Sequence, residues 1–312
     1  MSAGTGWSQN PMQVSAPRTL EVTDPVEALT VRVYGGTVNV VGTTDGGPAR
    51  VEISELDGPP LTVSCRSGVL SVAYEDLPWR GFLKFLDRRA WNRSAVVSVT
   101  VPAGTRVEVG VVRAGAVVSG ISGRTDVRGV SGDSTLVGLT GKVLAETVSG
   151  NVEVQSLTGD LRFHSVSGNL TVIDGAGGGV HADSVSGDMV LDLTPGKGAD
   201  IALTTVSGEV AIRLPDPADA RVEANTTSGT ISNAFDDLRV SGQWGTKRIT
   251  GSLGAGTGTL KATTVSGGLA LLRRPAPEDE DEDHRWGDPG AGHDGSPHED
   301  SPAAPTTGKK VR

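Results

Sequence analysis

From Ser131 to Ile173, apolar and polar positions alternate on a beat of nine residues. Ser149-Gly150-Asn151-Val152-Glu153-Val154-Gln155-Ser156-Leu157 is one unit, and Thr158-Gly159-Asp160-Leu161-Arg162-Phe163-His164-Ser165-Val166 is the next. The fourth, sixth and ninth places are apolar, while the fifth and seventh are mostly polar. Alternation through the middle of the unit is the period-two signature of a half-buried strand. Glycine in second place suits a tight corner that a side chain would hinder, and the preceding Ser or Thr is able to hydrogen-bond the local backbone. A five-residue strand spans about 17 Å. One unit is therefore a strand and a turn, and two units make a two-sided rung.

A longer period confirms the pairing of units. Val-Ser-Gly stands at Val130, Val148, Val166, Val185, Val206 and Val265, with the variant Thr227-Ser228-Gly229 between the last two. The serines step by 18, 18, 19, 21, 21 and 38 residues, and the last step reads as two beats of 19. Self-similarity at this period marks a solenoid, whose rungs bury their apolar faces only against one another. The predicted fold is therefore all-β: a right-handed parallel β-solenoid, with handedness from the usual chirality of parallel crossovers. Val152, Leu170 and Met189 are expected in one interior column. Residues 121–272 are expected to form about eight rungs, stacked about 4.8 Å apart. Thr194-Pro195-Gly196-Lys197 and Pro215-Asp216-Pro217 lengthen two beats at turn-type residues. The stretch from Asn233 to Gly258 is the least regular, and one side of its rung is expected to loop out.

Four segments follow. Residues 1–18 are expected to form a short, flexible leader. Residues 19–110 are strand-rich but less periodic, read as the same rod with longer corner insertions or as a separate small sandwich cap. Residues 111–273 form the regular solenoid, and residues 274–312 an acidic tail. That tail opens with Glu278-Asp279-Glu280-Asp281-Glu282-Asp283 and continues rich in Gly, Pro and Ser, a composition unable to bury a core and expected to be disordered.

Composition narrows the function classes. Forty-four glycines and 4% aromatic residues suit a narrow aliphatic core. A net charge of −9 argues against nucleic acid as partner, because phosphate binding requires a basic face. The single Cys65 forms no internal disulfide and reads as a buried thiol in a reducing compartment. No window approaches 18 consecutive apolar residues and no export signal is visible, so the expected location is cytoplasmic, with peripheral membrane association as an option.

Candidate chemistry is sparse. His164 and His181 fall at outward places of their units and are expected on different faces or rungs, as surface histidines rather than metal ligands. Each Ser-Gly belongs to the repeat, with no nucleophile elbow, and no carboxylate pair stands out for glycoside hydrolysis. No catalytic, cofactor or metal residue is assigned. The third place of alternate units reads Asp133, Asn151, Asn169, Asp188 and Glu209. Stacking brings these to one edge, where solvated corners are the expectation and a cation-binding ladder the alternative. The Gly254-Ala255-Gly256-Thr257-Gly258 string lacks the lysine and helix of a P-loop and reads as a solenoid corner.

One stretch breaks the β pattern. Residues 78–93 hold two of the five tryptophans and two of the four phenylalanines, with five basic side chains. Phe82, Leu83, Leu86 and Ala90 follow helical spacing. Trp79, Phe82, Lys84, Phe85, Arg88, Arg89 and Trp91 are the candidate contacts to a partner protein or an anionic membrane; a helix capping the rod is the other reading.

The repeated Val-Ser-Gly-Asp/Asn-apolar-x-apolar string, the upstream Val99-Thr100-Val101-Pro102-Ala103-Gly104-Thr105 and the closing Gly254-x-Gly256-x-Gly258…Thr264-Val265-Ser266-Gly267 resemble a bacterial family. It is a β-strand-repeat domain family of unknown function labelled "putative adhesin", and the chain looks most like its actinobacterial members across residues 20–273. The resemblance implies a β-repeat fold and carries no catalytic residues. The reading is a non-catalytic scaffold or protein-interaction module, with an adhesin-like surface or membrane-associated protein next and a carbohydrate-active enzyme a distant third. The partner is an unknown protein, with no small-molecule substrate evident.

Overall fold

The computed structural model describes residues 11–74, 93–243 and 245–275. Within them every regular element is a strand. Two ladders run side by side, and each rung crosses from the first to the second at a Val-Ser-Gly corner. In the first ladder Thr125–Gly129, Val143–Thr147, Leu161–Ser165, Gly179–Ser184 and Asp200–Thr205 pair in parallel. In the second, Ser134–Val137, Val152–Gln155, Leu170–Gly175, Met189–Leu193 and Val210–Leu214 do the same. The interior column is as expected: Val152 registers with Leu170 and Leu170 with Met189, and all three are buried.

The strands of the less periodic region carry the same two ladders outward. Ala28–Thr43 and Arg106–Ser119 are long enough to pass through both ladders and pair with each other over almost their whole length. The front half of Ala28–Thr43 then pairs with Val69–Ala73 and its back half with Ser94–Pro102. Beyond these, antiparallel pairing with Leu61–Arg66 and Met12–Val14 ends one ladder, and with Ala49–Asp57 and Arg18–Val22 the other. Antiparallel strands suit a rod end, since they close it with short connections rather than another full crossover. The core is continuous from Val14 to Leu271 and almost wholly aliphatic, with Phe163, Tyr34 and Tyr74 its largest side chains.

Two features depart from expectation. Seven rungs, not eight, lie between residues 125 and 273. Their spatial order also differs from their sequence order. Gly258–Thr264 pairs with Asp200–Thr205 on one edge and with Ala220–Thr226 on the other. Likewise Leu269–Arg273 lies between Val210–Leu214 and Ile231–Asn233. The last rung in sequence thus sits between two that are adjacent in sequence. The irregular stretch does loop out, as an antiparallel hairpin of Leu238–Gln243 and Thr246–Leu253 that covers the outer edge of Ala220–Thr226.

Candidate interaction surface

At the Val-Ser-Gly corner, backbone and side chains repeat one bonding scheme. In every rung the serine donates its backbone N–H to a carbonyl in the neighbouring rung, as Ser167 does to Val148 at 2.8 Å and Ser266 to Val206 at 2.9 Å. The same serine's hydroxyl donates to the same carbonyl oxygen. This holds for Ser131, Ser149, Ser167, Ser186, Ser207, Ser266 and Ser228, at 3.1 to 3.4 Å. A hydroxyl three residues before each strand is what the motif's serine supplies.

The glycine is required for a different reason from conformational freedom. Among the triplet glycines only Gly132 has a positive φ. A Cβ added at Gly150, Gly168, Gly187, Gly208, Gly267 or Gly229 would stand less than 3.0 Å from the carbonyl oxygen of the glycine in the neighbouring rung. The rungs touch backbone to backbone here, and any side chain would hold them apart. A hydroxyl three residues earlier receives the glycine's own N–H: Thr147 for Gly150 at 3.0 Å, Thr226 for Gly229 at 3.0 Å and Thr264 for Gly267 at 3.0 Å.

The Asp/Asn ladder is structural. Asp133 accepts the backbone N–H of Asn151 at 3.0 Å, Asn151 that of Asn169 at 3.2 Å, Asn169 that of Asp188 at 2.9 Å and Asp188 that of Glu209 at 2.8 Å. Each side chain thereby satisfies a backbone donor one rung on, in addition to facing solvent at the corner. Among the described residues no three His, Cys, Asp or Glu side chains gather to hold a metal ion.

These bonds fix one edge of the rod, where Val130 packs partly against the core and four later valines face outward. Val166 is 50% exposed, Val185 51%, Val206 46% and Val265 45%, whereas Leu139 and Leu157, in the same ninth place at the opposite corner, are buried. In spatial order Val166, Val185, Val206 and Val265 occupy successive rungs, and Thr227 continues the line. A contiguous apolar column of this kind, rimmed by exposed serines, is the sort of patch that marks an interaction site. The alternation of polar and apolar residues in sequence concealed it, because both ninth places look equally interior.

Other surfaces are self-neutralised. On the outside of the first ladder, Arg124 lies 2.9 Å from the buried Asp126 and Arg128 pairs with Glu146. Arg124, Asp126 and Glu146 border a shallow groove of about 500 Å³ that Lys142, Arg162 and His164 also line. His164 and His181 lie on successive rungs, as expected, and on the same outward face of adjacent strands. The 19-residue offset between these strands sets His164 opposite Asp183 and His181 opposite Arg162. His164 Nδ1 is 3.4 Å from Asp183 and His181 Nε2 is 3.2 Å from Asp200, all of them exposed to solvent. Cys65 is buried, and burial pushes its thiol pKa up; it serves packing.

Trp79, Phe82, Lys84, Phe85, Arg88, Arg89 and Trp91 lie outside the described residues, as does the acidic tail beyond Pro275. The strands flanking residues 75–92 are described. Val69–Ala73 belongs to the first ladder and Ser94–Pro102 to the second, with Arg93 directly before the latter strand. The Arg93 guanidinium lies 5.7 Å from the centre of the buried Tyr74 ring.

A two-sided parallel β-solenoid with this corner motif defines the class of the protein. The chain belongs to the Toastrack family, DUF4097, which matches residues 68–272. Among solved structures it is similar to a putative adhesin from Bacteroides fragilis, at 14% identity over 86% of this chain and 100% of that one, with a TM-score of 0.42. It is similar also to a putative adhesin from Parabacteroides distasonis, at 14% identity over 87% and 98% with a TM-score of 0.43. A third, described as a putative lipid binding protein from the same organism, shows 12% identity over 84% and 98% with a TM-score of 0.29. No curated protein matches the chain. Likeness at this level leaves function to be argued from the chain's own surface.

Proposed function

We propose that the chain is a non-catalytic scaffold that presents a stiff edge to another protein. The observation that carries this reading is the exposed column of Val166, Val185, Val206 and Val265. Each valine is followed by a serine bonded twice to the neighbouring rung, so the column is held without loop freedom and little ordering entropy is lost on binding. An apolar strip of fixed spacing fits an extended or helical partner segment with apolar side chains along one face.

The test is an affinity capture from the native cell with the full chain and with a Val166→Thr/Val185→Thr/Val206→Thr variant. Threonine keeps the branched shape and adds a hydroxyl at an exposed site, so thermal stability should be unchanged. A partner retained by the parent chain and lost by the variant supports the reading. Equal retention by both, or none by either, refutes it.

A further inference from the structure

The rung formed by residues 258–273 is an insert. On one side it pairs in register with residues 200–214, and on the other with residues 220–233. Its corner meets both neighbours by the common scheme: Ser266 N–H donates to Val206 at 2.9 Å, and Val265 accepts from Ser228 at 2.9 Å. Its apolar residues Leu260, Ala262, Leu269 and Leu271 are buried in the slot. Two arginines at its end fasten it to both sides. Arg274 Nε reaches Asp192 at 3.1 Å and its Nη1 reaches Thr194 at 2.9 Å, while Arg273 reaches Asp216 and the Ala234 carbonyl, each at 3.1 Å.

The entrance to this rung is short. Ala220–Thr226 has Thr246–Leu253 on one edge and Gly258–Thr264 on the other, so the chain between Leu253 and Gly258 straddles a strand. The crossing passes Asp219, which accepts from Thr257 N–H at 2.9 Å and from its hydroxyl at 2.6 Å. Residues 220–233 precede 258–273 in the chain, so both walls of the slot come from sequence that lies before the insert.

We propose that this slot also accepts residues 258–273 from a second copy of the chain, giving a reciprocal exchange dimer with Gly254–Thr257 as the hinge. An identical segment satisfies every contact of the slot. The closed and exchanged forms therefore share their contacts and differ only in the hinge and in protein concentration. Hinge length follows from the geometry. Strands on opposite edges of one strand are about 9.6 Å apart, twice the ~4.8 Å spacing. Removing Ala255 and Gly256 leaves three peptide steps, at most about 11 Å fully extended, with no slack to turn. The shortened chain can fill slots only by exchange.

Two full-length single-cysteine-addition variants, Ser207→Cys and Ser266→Cys, are mixed, refolded together from urea at rising protein concentration, and oxidised with glutathione disulfide. These corners adjoin only across the slot, so a disulfide joining the two chains reports insertion in trans. A mixture of Ser149→Cys with Ser266→Cys measures random collision, since those rungs are not neighbours in either form. The expected result is an excess over collision of about tenfold or more, because paired corners meet at an effective concentration far above bulk. Yields equal to the collision mixture at every concentration overturn the proposal. The chain lacking Ala255 and Gly256 should double in mass by light scattering; a folded monomer overturns the proposal as well. Should that variant not fold, the cysteine mixtures decide. An Arg273→Ala/Arg274→Ala chain should exchange faster without changing the final dimer fraction, since the same latches are missing from both forms.

Discussion

Gly168→Ala separates two physical readings of the repeated glycine by the sign of its effect. Gly168 lies outside the left-handed region, the positive-φ corner glycine being Gly132. By conformational entropy alone, alanine there should stabilise the fold by about 0.4–1 kcal/mol. The structure predicts a loss. A Cβ would fall inside 3.0 Å of the Gly150 carbonyl oxygen, where ordinary contact begins at 3.4 Å, with the Gly150 carbonyl carbon and Ser165 Oγ only 3.0 Å away. Relief requires the rungs to part. That strains Ser167 N–H to Val148 at 2.8 Å, the Ser167 hydroxyl to the same carbonyl at 3.2 Å and Asn169 N–H to Asn151 at 3.2 Å. Three hydrogen bonds at about 1 kcal/mol each set the loss at about 2–4 kcal/mol, steric strain included. Gly104→Ala is the control, since its Cβ meets nothing within 4 Å and its φ is not positive. Urea midpoints of the full chain, followed by far-UV circular dichroism, give both values. A Gly168→Ala midpoint equal to or above that of the parent refutes the close-approach reading.

Leu170→Asp should abolish cooperative folding, costing about 4 kcal/mol or more, because Leu170 is fully buried in an aliphatic column that offers a carboxylate no partner; a retained near-native melting temperature would contradict this. Hydrogen bonding from Arg213 holds the Asp192 carboxyl below the usual carboxylate range, with Arg274 adding to it. A carboxyl with a depressed folded pKa stabilises above its unfolded value of about 3.9 and loses that contribution as pH falls through the folded value. Asp192→Asn should therefore cost about 1–2 kcal/mol near neutral pH, a figure tempered by the half-exposed arginines. The gap to the parent should close below about pH 4; a pH-independent gap in urea midpoints would show that the charge is not responsible. Ser186→Ala removes only the hydroxyl bond to Val166 and leaves the backbone bond at 2.9 Å in place, so its cost should stay near ~1 kcal/mol; a loss as large as that of Gly168→Ala would show the hydroxyl to be the main tie.

The spacing of Val-Ser-Gly and the period-two alternation between its copies determined the architecture. Once a corner recurs every 18 to 21 residues with four or five alternating residues on each side, stacked parallel rungs are the arrangement that buries every apolar column. The stacking of Val152 on Leu170 and Leu170 on Met189 was legible on the same ground. The order of the final rungs was not. Residues 205–208, 226–229 and 264–267 carry equivalent corners, and Leu260 or Val222 fits beside Ile201 equally well in pattern. Local chemistry therefore leaves the order open, and the hairpin of Leu238–Leu253 settles it by occupying the far edge of Ala220–Thr226. The candidate surface was hidden for a related reason. Val166 and Leu157 hold the same place in the nine-residue unit, yet one faces solvent and the other the core. Which way a corner residue points depends on the side from which the chain turns into the next strand, a property of the closed rung rather than of any nine residues within it.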